Sequence, residues 1–377
     1  MTTDAGRHKS VKISVPLIFM TFDLQNLVRE NIKRLTPYSS ARKEFSGAAQ
    51  IFLDANENSF GSPLSADYNR YPDPLQWEIK EKLAEINNLK PPEIFVGNGS
   101  DEAIDLLFRI FCEPKIDNIL ICPPTYGMYQ VSAEINDVLI KRANLTMDFR
   151  LDFRAIETAI DEQTKLLFIC SPNNPTGNNF GRDEILKLAT NFGGIVVVDE
   201  AYIHFSNKKS LLGEINNFPN LVVLQTFSKA WGLAGLRVGL AFANEEIVKL
   251  FNKVKPPYNV SQIAQEAILN AIENRKTVKK TIAEIIIERE KLIKNLHEFS
   301  FVTKIYPTDA NFVLVKTIDA EKIYKFLLDK KIVVRNRNSV ELCKGCLRIT
   351  IGTPAENEKL IEALGKFTTK PQRTQSF

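Results

Sequence analysis

One lysine of this sequence stands among residues that suit chemistry on a phosphorylated aldehyde. In the stretch TFSKAWGLAGLR, Lys229 directly follows Ser228 and precedes Arg237 by eight residues, with two glycines and no acid. A lysine amine can form a Schiff base with an aldehyde, and a serine hydroxyl and an arginine guanidinium can bind a phosphate. The stretch therefore predicts a site where Lys229 binds a phosphorylated aldehyde cofactor.

A second phosphate-binding element is predicted at Gly99, Ser100 and Asp101. These residues follow the apolar run EIFVG and open the helical stretch SDEAIDLLFRIF. The free N–H groups of a helix N-terminus bind phosphate readily. Taken alone, Ser100 and Asp101 fit an ordinary helix cap equally well, so the prediction depends on their meeting Lys229 in the fold.

Three further motifs offer groups for an aromatic ring. Asp199 ends the apolar run GIVVVD, where a buried carboxylate needs a partner such as a cationic ring nitrogen. Tyr202 and Asn174, the latter in SPNNPTG, could both donate to a phenolate oxygen at the other end of the ring. Tyr126 in PPTYGMY offers a face for stacking. Taken singly, Asp199 could cap a helix and NNPTG could be only a turn.

The elements that must position these motifs alternate between strand and helix. Between about residues 94 and 243 the apolar runs are EIFVG, NILIC, DVLIK, KLLFIC, GIVVVD, LVVLQTF and RVGLAFA. Such runs, separated by helical stretches, indicate a mainly parallel sheet covered on both faces. Ligands of open α/β sheets bind beyond the carboxyl ends of the strands, where the motifs lie. A long helical region, residues 261–299, and a smaller α+β unit follow.

The composition excludes several classes of protein. Of the 377 residues, 44% are hydrophobic and 25% charged, which is typical of a globular protein. A net charge of +4, spread along the chain, gives no basic patch for nucleic acid, and no apolar run reaches the roughly 18 residues of a membrane span.

The cysteines and the first residues point to a cytoplasmic protein. Five scattered cysteines favour a reducing compartment. A single CxxC, Cys343 and Cys346, with only three histidines predicts no metal site. The apolar patch within the first twenty residues is interrupted by Pro16 and lacks a small-residue cleavage site, so we expect no signal peptide.

Together the motifs resemble a known family. SPNNPTG, VVDEAY and TFSKAWGLAGLRVG, in this order, are similar to the class I and II aminotransferases of the aspartate aminotransferase fold, which depend on pyridoxal 5′-phosphate. Within that family LTPYSSAR, LDANENSFG, YNRYPDP, GNGSDE, PTYGMY and CLRITIGT resemble the histidinol-phosphate aminotransferases, and the likeness runs from about residue 35 to residue 367.

The resemblance implies a fold and a division into domains. It implies the fold type I of pyridoxal-phosphate enzymes: an α/β domain, residues 51–265, with a mainly parallel seven-stranded sheet covered by helices, and a smaller α+β domain, residues 266–377. Residues 1–50 would form an N-terminal extension and arm that packs with the small domain. The resemblance also implies a homodimer.

The resemblance further implies roles for individual residues. Lys229 carries the cofactor as a Schiff base and acts as the base, with a lowered pKa, and Asp199 pairs with the ring nitrogen. Tyr202 and Asn174 contact the ring oxygen. The cofactor phosphate is held by Ser100, Asp101, Ser228, Arg237 and, from the neighbouring subunit, Tyr68. The substrate-binding positions are Tyr38, Asn56, Arg335 and Arg348.

The implied reaction transfers an amino group between L-histidinol phosphate and 2-oxoglutarate, giving imidazole-acetol phosphate and L-glutamate in histidine biosynthesis. An aromatic-amino-acid aminotransferase and a threonine-phosphate decarboxylase remain alternatives on the same scaffold. A non-catalytic module of this fold would not need an intact Lys229, Asp199 and Arg237. The sequence departs from the family in RNRN, where an acid more often follows the first arginine, and at Trp231, where a phenylalanine is more usual.

Overall fold

Seven strands form the larger sheet of the protein. The structure is a computed structural model that describes residues 21–38, 51–64 and 67–367. In the large sheet the strand order is β1-β7-β6-β5-β4-β2-β3, and β7 runs antiparallel to both of its neighbours whereas the other pairs are parallel. The strands are β1 (Ile94–Gly97), β2 (Asn118–Ile121), β3 (Leu139–Arg142), β4 (Thr164–Cys170), β5 (Ile195–Asp199), β6 (Leu221–Thr226) and β7 (Gly239–Ala243). The predicted α/β fold with a mainly parallel sheet is confirmed.

Helices cover both faces of this sheet. Along β5, Val196 and Val198 pack into one apolar cluster whereas Val197 packs into the other, so both faces are buried. Helices α3, α6, α7 and α9 contribute to the first cluster, and α4, α5 and α8 to the second. The residues that the structure describes form twelve α-helices: α1 (Leu24–Leu27), α2 (Glu30–Arg34), α3 (Trp77–Asn87), α4 (Ser100–Phe111), α5 (Met128–Ile135), α6 (Phe153–Ala159), α7 (Arg182–Asn191), α8 (Glu245–Val254), α9 (Gln262–Glu273), α10 (Arg275–His297), α11 (Ala320–Asp329) and α12 (Pro354–Gly365).

A smaller antiparallel sheet has the order β10-β11-β9-β8. Its strands are β8 (Val302–Ile305), β9 (Phe312–Thr317), β10 (Arg335–Asn336) and β11 (Cys346–Thr350). One face, with Val313 and Leu347, packs against α10, α11 and α12. The opposite face carries Leu314, which belongs to the same apolar cluster as Val198 of the large sheet. The small sheet therefore turns this second face toward the large one.

Three details differ from the expectations. The sequence did not predict β8. The long helical region is two helices, because Asn274 ends α9 and begins α10. The arm was expected to pack with the small domain, but its described part, residues 21–38, contacts the helices of the large sheet instead. Val28 and Ile32 enter an apolar cluster there, and Arg29 forms an ion pair with Glu113 at 3.0 Å.

The N-terminal extension up to residue 20 and residues 39–50 of the arm lie outside the described residues. Within the described part of the chain, every helix is too short or too polar to cross a lipid bilayer.

Candidate active site

A cavity lies at the carboxyl ends of β4, β5 and β6 and brings together nine of the ten residues predicted to bind the cofactor. Its cavity volume is about 120 Å³. The predicted residues that line it are Ser100, Asp101, Tyr126, Asn174, Asp199, Tyr202, Ser228, Lys229 and Arg237. Cys170, Ala201, Thr226 and Ala234 complete the wall. The loops converge because successive parallel strands end at the same edge of the sheet.

Asp199 is a buried carboxylate held by two donors. It is 3% exposed at the end of β5, and it accepts hydrogen bonds from the Tyr129 hydroxyl at 2.8 Å and from the backbone N–H of Ala201 at 3.0 Å. Burial raises the pKa of Asp199, while these two hydrogen bonds lower it. A carboxylate in this position favours a cationic partner inside the cavity.

Tyr129 is a functional candidate that sequence reasoning missed. It is fully buried in α5, three residues after Tyr126, and its ring meets that of Tyr126 edge to face with centroids 5.5 Å apart. The hydroxyl of Tyr126 donates to Asp101 at 3.1 Å, so each of the two tyrosines holds one carboxylate of the cavity. The only sequence signal was a second tyrosine in TYGMY, one helical turn after the first.

Lys229 lies in the loop after β6, partly buried. Its Nζ is 5.8 Å from the centroid of the Tyr202 ring. Burial and, next, the charge of Arg348 lower the pKa of Lys229, and the Asp199 carboxylate opposes this. The loop is closed by a hydrogen bond from the N–H of Leu233 to the carbonyl of Phe227 at 3.0 Å. The amine is therefore held over the cavity and is more easily deprotonated than an exposed lysine.

An anion seat lies at the N-terminus of α4. Arg237 reaches Asp101 with Nη2 at 3.3 Å and the hydroxyl of Ser228 with Nη1 at 3.4 Å. The seat depends on Gly239 of β7, because a Cβ at that position would lie 2.0 Å from the backbone nitrogen of Ser100. The free N–H groups of α4, a serine hydroxyl and a guanidinium are the donors that a phosphate needs.

Arg348 connects the small sheet to the cavity. Its Nη1 donates to the Oδ1 of Asn174, and its guanidinium carbon is 5.1 Å from the centroid of the Phe312 ring. Phe312 meets Tyr202 edge to face with centroids 5.2 Å apart. Burial raises the pKa of Tyr202, whereas Arg348 and Arg337 lower it. Arg337, which the sequence did not predict as a site residue, therefore lies close to the site.

Five predicted residues do not line the cavity, and one of them, Arg348, reaches it through its hydrogen bond to Asn174. Tyr68 is partly buried elsewhere, and Asn56 is exposed with a left-handed backbone φ of 53°. Tyr38 is 74% exposed and lines a separate cavity with Trp77 and other residues. Arg335 is exposed at the end of the small sheet, opposite Arg348. Within one chain, the structure thus assembles the predicted cofactor residues more completely than the predicted substrate residues.

Comparison with known proteins shows which family this chain is similar to. The family model described as aminotransferase class I and II matches residues 52–364. A histidinol-phosphate aminotransferase of Parabacteroides distasonis is 52% identical over 342 residues, which cover 91% of this chain and 98% of that protein.

Two solved structures are also similar. The histidinol-phosphate aminotransferase from Clostridium acetobutylicum has a TM-score of 0.73 at 28% identity, covering 79% of this chain and 90% of that one. The enzyme of the same name from Sinorhizobium meliloti, in complex with pyridoxal-5′-phosphate, has a TM-score of 0.74 at 24% identity, covering 82% and 88%, and supports the fold.

Proposed function

The chain belongs to the class I and II aminotransferases, and from this we propose that it transfers the amino group of L-histidinol phosphate to 2-oxoglutarate, with pyridoxal 5′-phosphate as cofactor. The observation that supports this choice of substrate is the 52% identity to a histidinol-phosphate aminotransferase over 91% of this chain. The products are imidazole-acetol phosphate and L-glutamate, a step of histidine biosynthesis.

The residues of the cavity fit pyridoxal phosphate at three points. The buried Asp199 suits a protonated ring nitrogen, because burial has raised its pKa and a cation would stabilise its ionised form. Ser100, Ser228 and Arg237 suit the phosphate. Gly239 has no Cβ that would collide with the backbone nitrogen of Ser100, so the N-terminus of α4 can take the position that the phosphate site needs. Lys229 would hold the aldehyde carbon through its amine.

When bound, pyridoxal phosphate supplies an electron-accepting ring that stabilises the charge left when a proton leaves the carbon next to the substrate amine. Asp199 would keep the ring nitrogen protonated, and Tyr129 and Ala201 fix the orientation of that carboxylate. Lys229 takes and returns the proton at Nζ. Its lowered pKa leaves more of the amine neutral near physiological pH, as a general base requires.

Tyr126, Tyr202 and Asn174 orient the cofactor around these groups. The ring of Tyr126 would stack on the cofactor ring, and the hydroxyl of Tyr202 and the amide of Asn174 would donate to the ring oxygen. Asn174 is itself oriented by Arg348, whose Nη1 donates to its Oδ1. Arg348 contacts this set through Asn174 and suits the anionic end of either substrate.

The assembly and the location are part of the same proposal. A homodimer would supply Tyr68, which lies outside the cavity of its own chain. Residues 51–265 would form the cofactor-binding domain and residues 266–377 the small domain, in line with the positions of the two sheets. Free thiols at all five cysteines support a reducing, cytoplasmic location.

The test is a half-reaction followed by absorbance. Purified enzyme loaded with pyridoxal phosphate is mixed singly with L-histidinol phosphate, phenylalanine or O-phosphothreonine, and conversion of the cofactor to its amine form is recorded. We expect rapid conversion with L-histidinol phosphate alone. Preference for phenylalanine would instead identify an aromatic aminotransferase, and release of CO₂ from O-phosphothreonine a decarboxylase.

The matched variants are Lys229→Ala and Lys279→Ala, the second being an exposed lysine of α10. Lys229→Ala should lose the absorbance of the lysine-bound cofactor and reduce turnover by at least about 10³-fold, whereas Lys279→Ala should match the wild type. Unchanged turnover in Lys229→Ala would contradict the proposed role of this lysine.

A further inference from the structure

Three arginines lie on one face of the small sheet. Arg335 of β10 stands directly opposite Arg348 of β11 in the antiparallel register. The ladder continues by one residue, because the N–H of Arg337 donates to the carbonyl of Cys346 at 2.9 Å. Side chains two residues apart along a strand point to the same face, so Arg337 shares the face of Arg335 and Arg348. This is the face that carries Leu314 and turns toward the large sheet.

These guanidinium groups have no anionic partner in the part of the chain that the structure describes, where none of the three forms an ion pair. The Nε atoms of Arg337 and Arg348 are buried without any hydrogen-bond partner. Burial and, next, the neighbouring Arg335 lower the pKa of Arg337. A buried cation without a partner is costly. The partly buried guanidinium groups of Arg337 and Arg348, with the exposed Arg335 beside them, therefore favour the binding of an anion with more than one charge.

The hairpin around Arg337 fixes its position. The N–H of Val340 donates to the carbonyl of Arg337 at 2.9 Å, and the N–H of Gly345 donates to the side chain of Asn338 at 2.8 Å. The nearby acid Glu341 is engaged elsewhere, since its Oε1 accepts from Asn144 of the large domain at 2.5 Å. The closed hairpin therefore fixes the backbone of Arg337, and the carboxylate of Glu341 does not neutralise its guanidinium.

We propose that Arg337 is a specificity-determining residue that binds the phosphate group of the amino donor. The inference rests on the proposed function and adds a residue to it. A carboxylate is saturated by one guanidinium in a two-bond contact, whereas a phosphate monoester carries about two charges on three oxygens and accepts from several donors. Arg337 thus favours a phosphorylated amine over an amino acid that carries only a carboxylate.

The experiment compares a phosphorylated and an unphosphorylated substrate in the loaded enzyme. For Arg337→Gln, Arg337→Lys and the wild type, kcat and KM are measured with L-histidinol phosphate, L-histidinol and 2-oxoglutarate. The dissociation constant of inorganic phosphate is measured by calorimetry on the same proteins. The control is Arg154→Gln, at an exposed arginine of α6.

In Arg337→Gln we expect KM for L-histidinol phosphate and the dissociation constant of phosphate to rise about 10- to 100-fold, the usual effect of losing a charged hydrogen bond. The values for L-histidinol and 2-oxoglutarate should stay within about 2-fold. Arg337→Lys should recover part of the lost phosphate affinity, because lysine keeps the positive charge but lacks the paired N–H donors of a guanidinium. Arg154→Gln should resemble the wild type.

Two results would overturn the proposal: unchanged phosphate affinity in Arg337→Gln, or an equal loss for L-histidinol and L-histidinol phosphate, which would indicate a structural role. Its failure is distinct from failure of the proposed function. If wild-type enzyme does not turn over L-histidinol phosphate, yet binds inorganic phosphate through Arg337, the role of Arg337 stands and the substrate is a different phosphate monoester.

Discussion

Replacing Tyr129 by phenylalanine should cost more stability when Asp199 is ionised than when it is protonated. The hydroxyl of Tyr129 donates to the buried Asp199 at 2.8 Å and is one of two donors to that carboxylate, the other being Ala201 N–H. The phenylalanine ring can keep the stack of Tyr129 on Phe168, whose centroids are 4.7 Å apart. The substitution therefore removes the hydrogen bond and little else.

The size of the effect follows from the charge of the acceptor. A hydrogen bond to a charged group contributes about 1.5–3 kcal/mol, and one between neutral groups about 0.5–1.5 kcal/mol. Burial already raises the pKa of Asp199 above its value in the unfolded chain. Between these two pKa values the folded protein holds one more proton, so wild-type stability falls as pH rises through that interval. Loss of the Tyr129 hydroxyl raises the folded pKa further and makes this fall larger.

The assay is urea unfolding of the protein freed of cofactor, from about pH 5 to about pH 8, for the wild type and Tyr129→Phe. The difference in unfolding free energy should grow with pH toward about 1.5–3 kcal/mol. Tyr306→Phe is the control, because Tyr306 is only 8% exposed and forms no hydrogen bond with a described carboxylate. A difference that is the same at every pH, or as large in Tyr306→Phe, would refute the reasoning.

Two further substitutions test the anion seat and a buried lysine. Gly239→Ala should destabilise the protein by about 3 kcal/mol or more in urea unfolding and weaken cofactor binding, because its Cβ would meet the backbone of Ser100, whereas Gly235→Ala, with no atom within 4 Å of the added Cβ, should do neither. Lys80→Met should stabilise the protein near pH 7 by up to about 3 kcal/mol, since burial lowers the pKa of Lys80 to about 8. That folded pKa is below the unfolded value, so wild-type stability rises with pH above about 8. In unfolding measured across that range, Lys80→Met should lose the part of this rise that comes from Lys80 and keep the part from Lys255, whose pKa is also lowered to about 8.

The large sheet could be predicted because its strands, apart from the edge strand β3, are buried on both faces. A run such as GIVVVD reads as a buried strand whatever surrounds it, and seven such runs define the sheet. The short strand β8 could not be predicted, because VTKI has partly exposed and exposed residues and no apolar run. The end of one helix and the start of the next at Asn274 could not be predicted for another reason. A single asparagine within a helix lowers helix stability only slightly, and the sequence stays amphipathic on both sides of it.

The cofactor residues of the site could be predicted because each belongs to a local motif at a strand end. Tyr129 could not, since its role depends on a carboxylate seventy residues away that only the folding of α5 against β5 brings to 2.8 Å. Nothing in the sequence near TYGMY distinguishes a buried tyrosine that orients a carboxylate from one that only fills the core.

Arg337 shows the limit of the local pattern more clearly. The spacing of Arg335 and Arg337 already places them on one face of a strand, yet the sequence does not say whether that face meets solvent or the cavity. The answer comes from the pairing of β10 with β11 and from the packing of the opposite face, with Val313 and Leu347, against three helices. Because that apolar face must be buried, the arginines are left facing the large sheet. Hydrophobic packing in the small domain thus determines which cations reach the site.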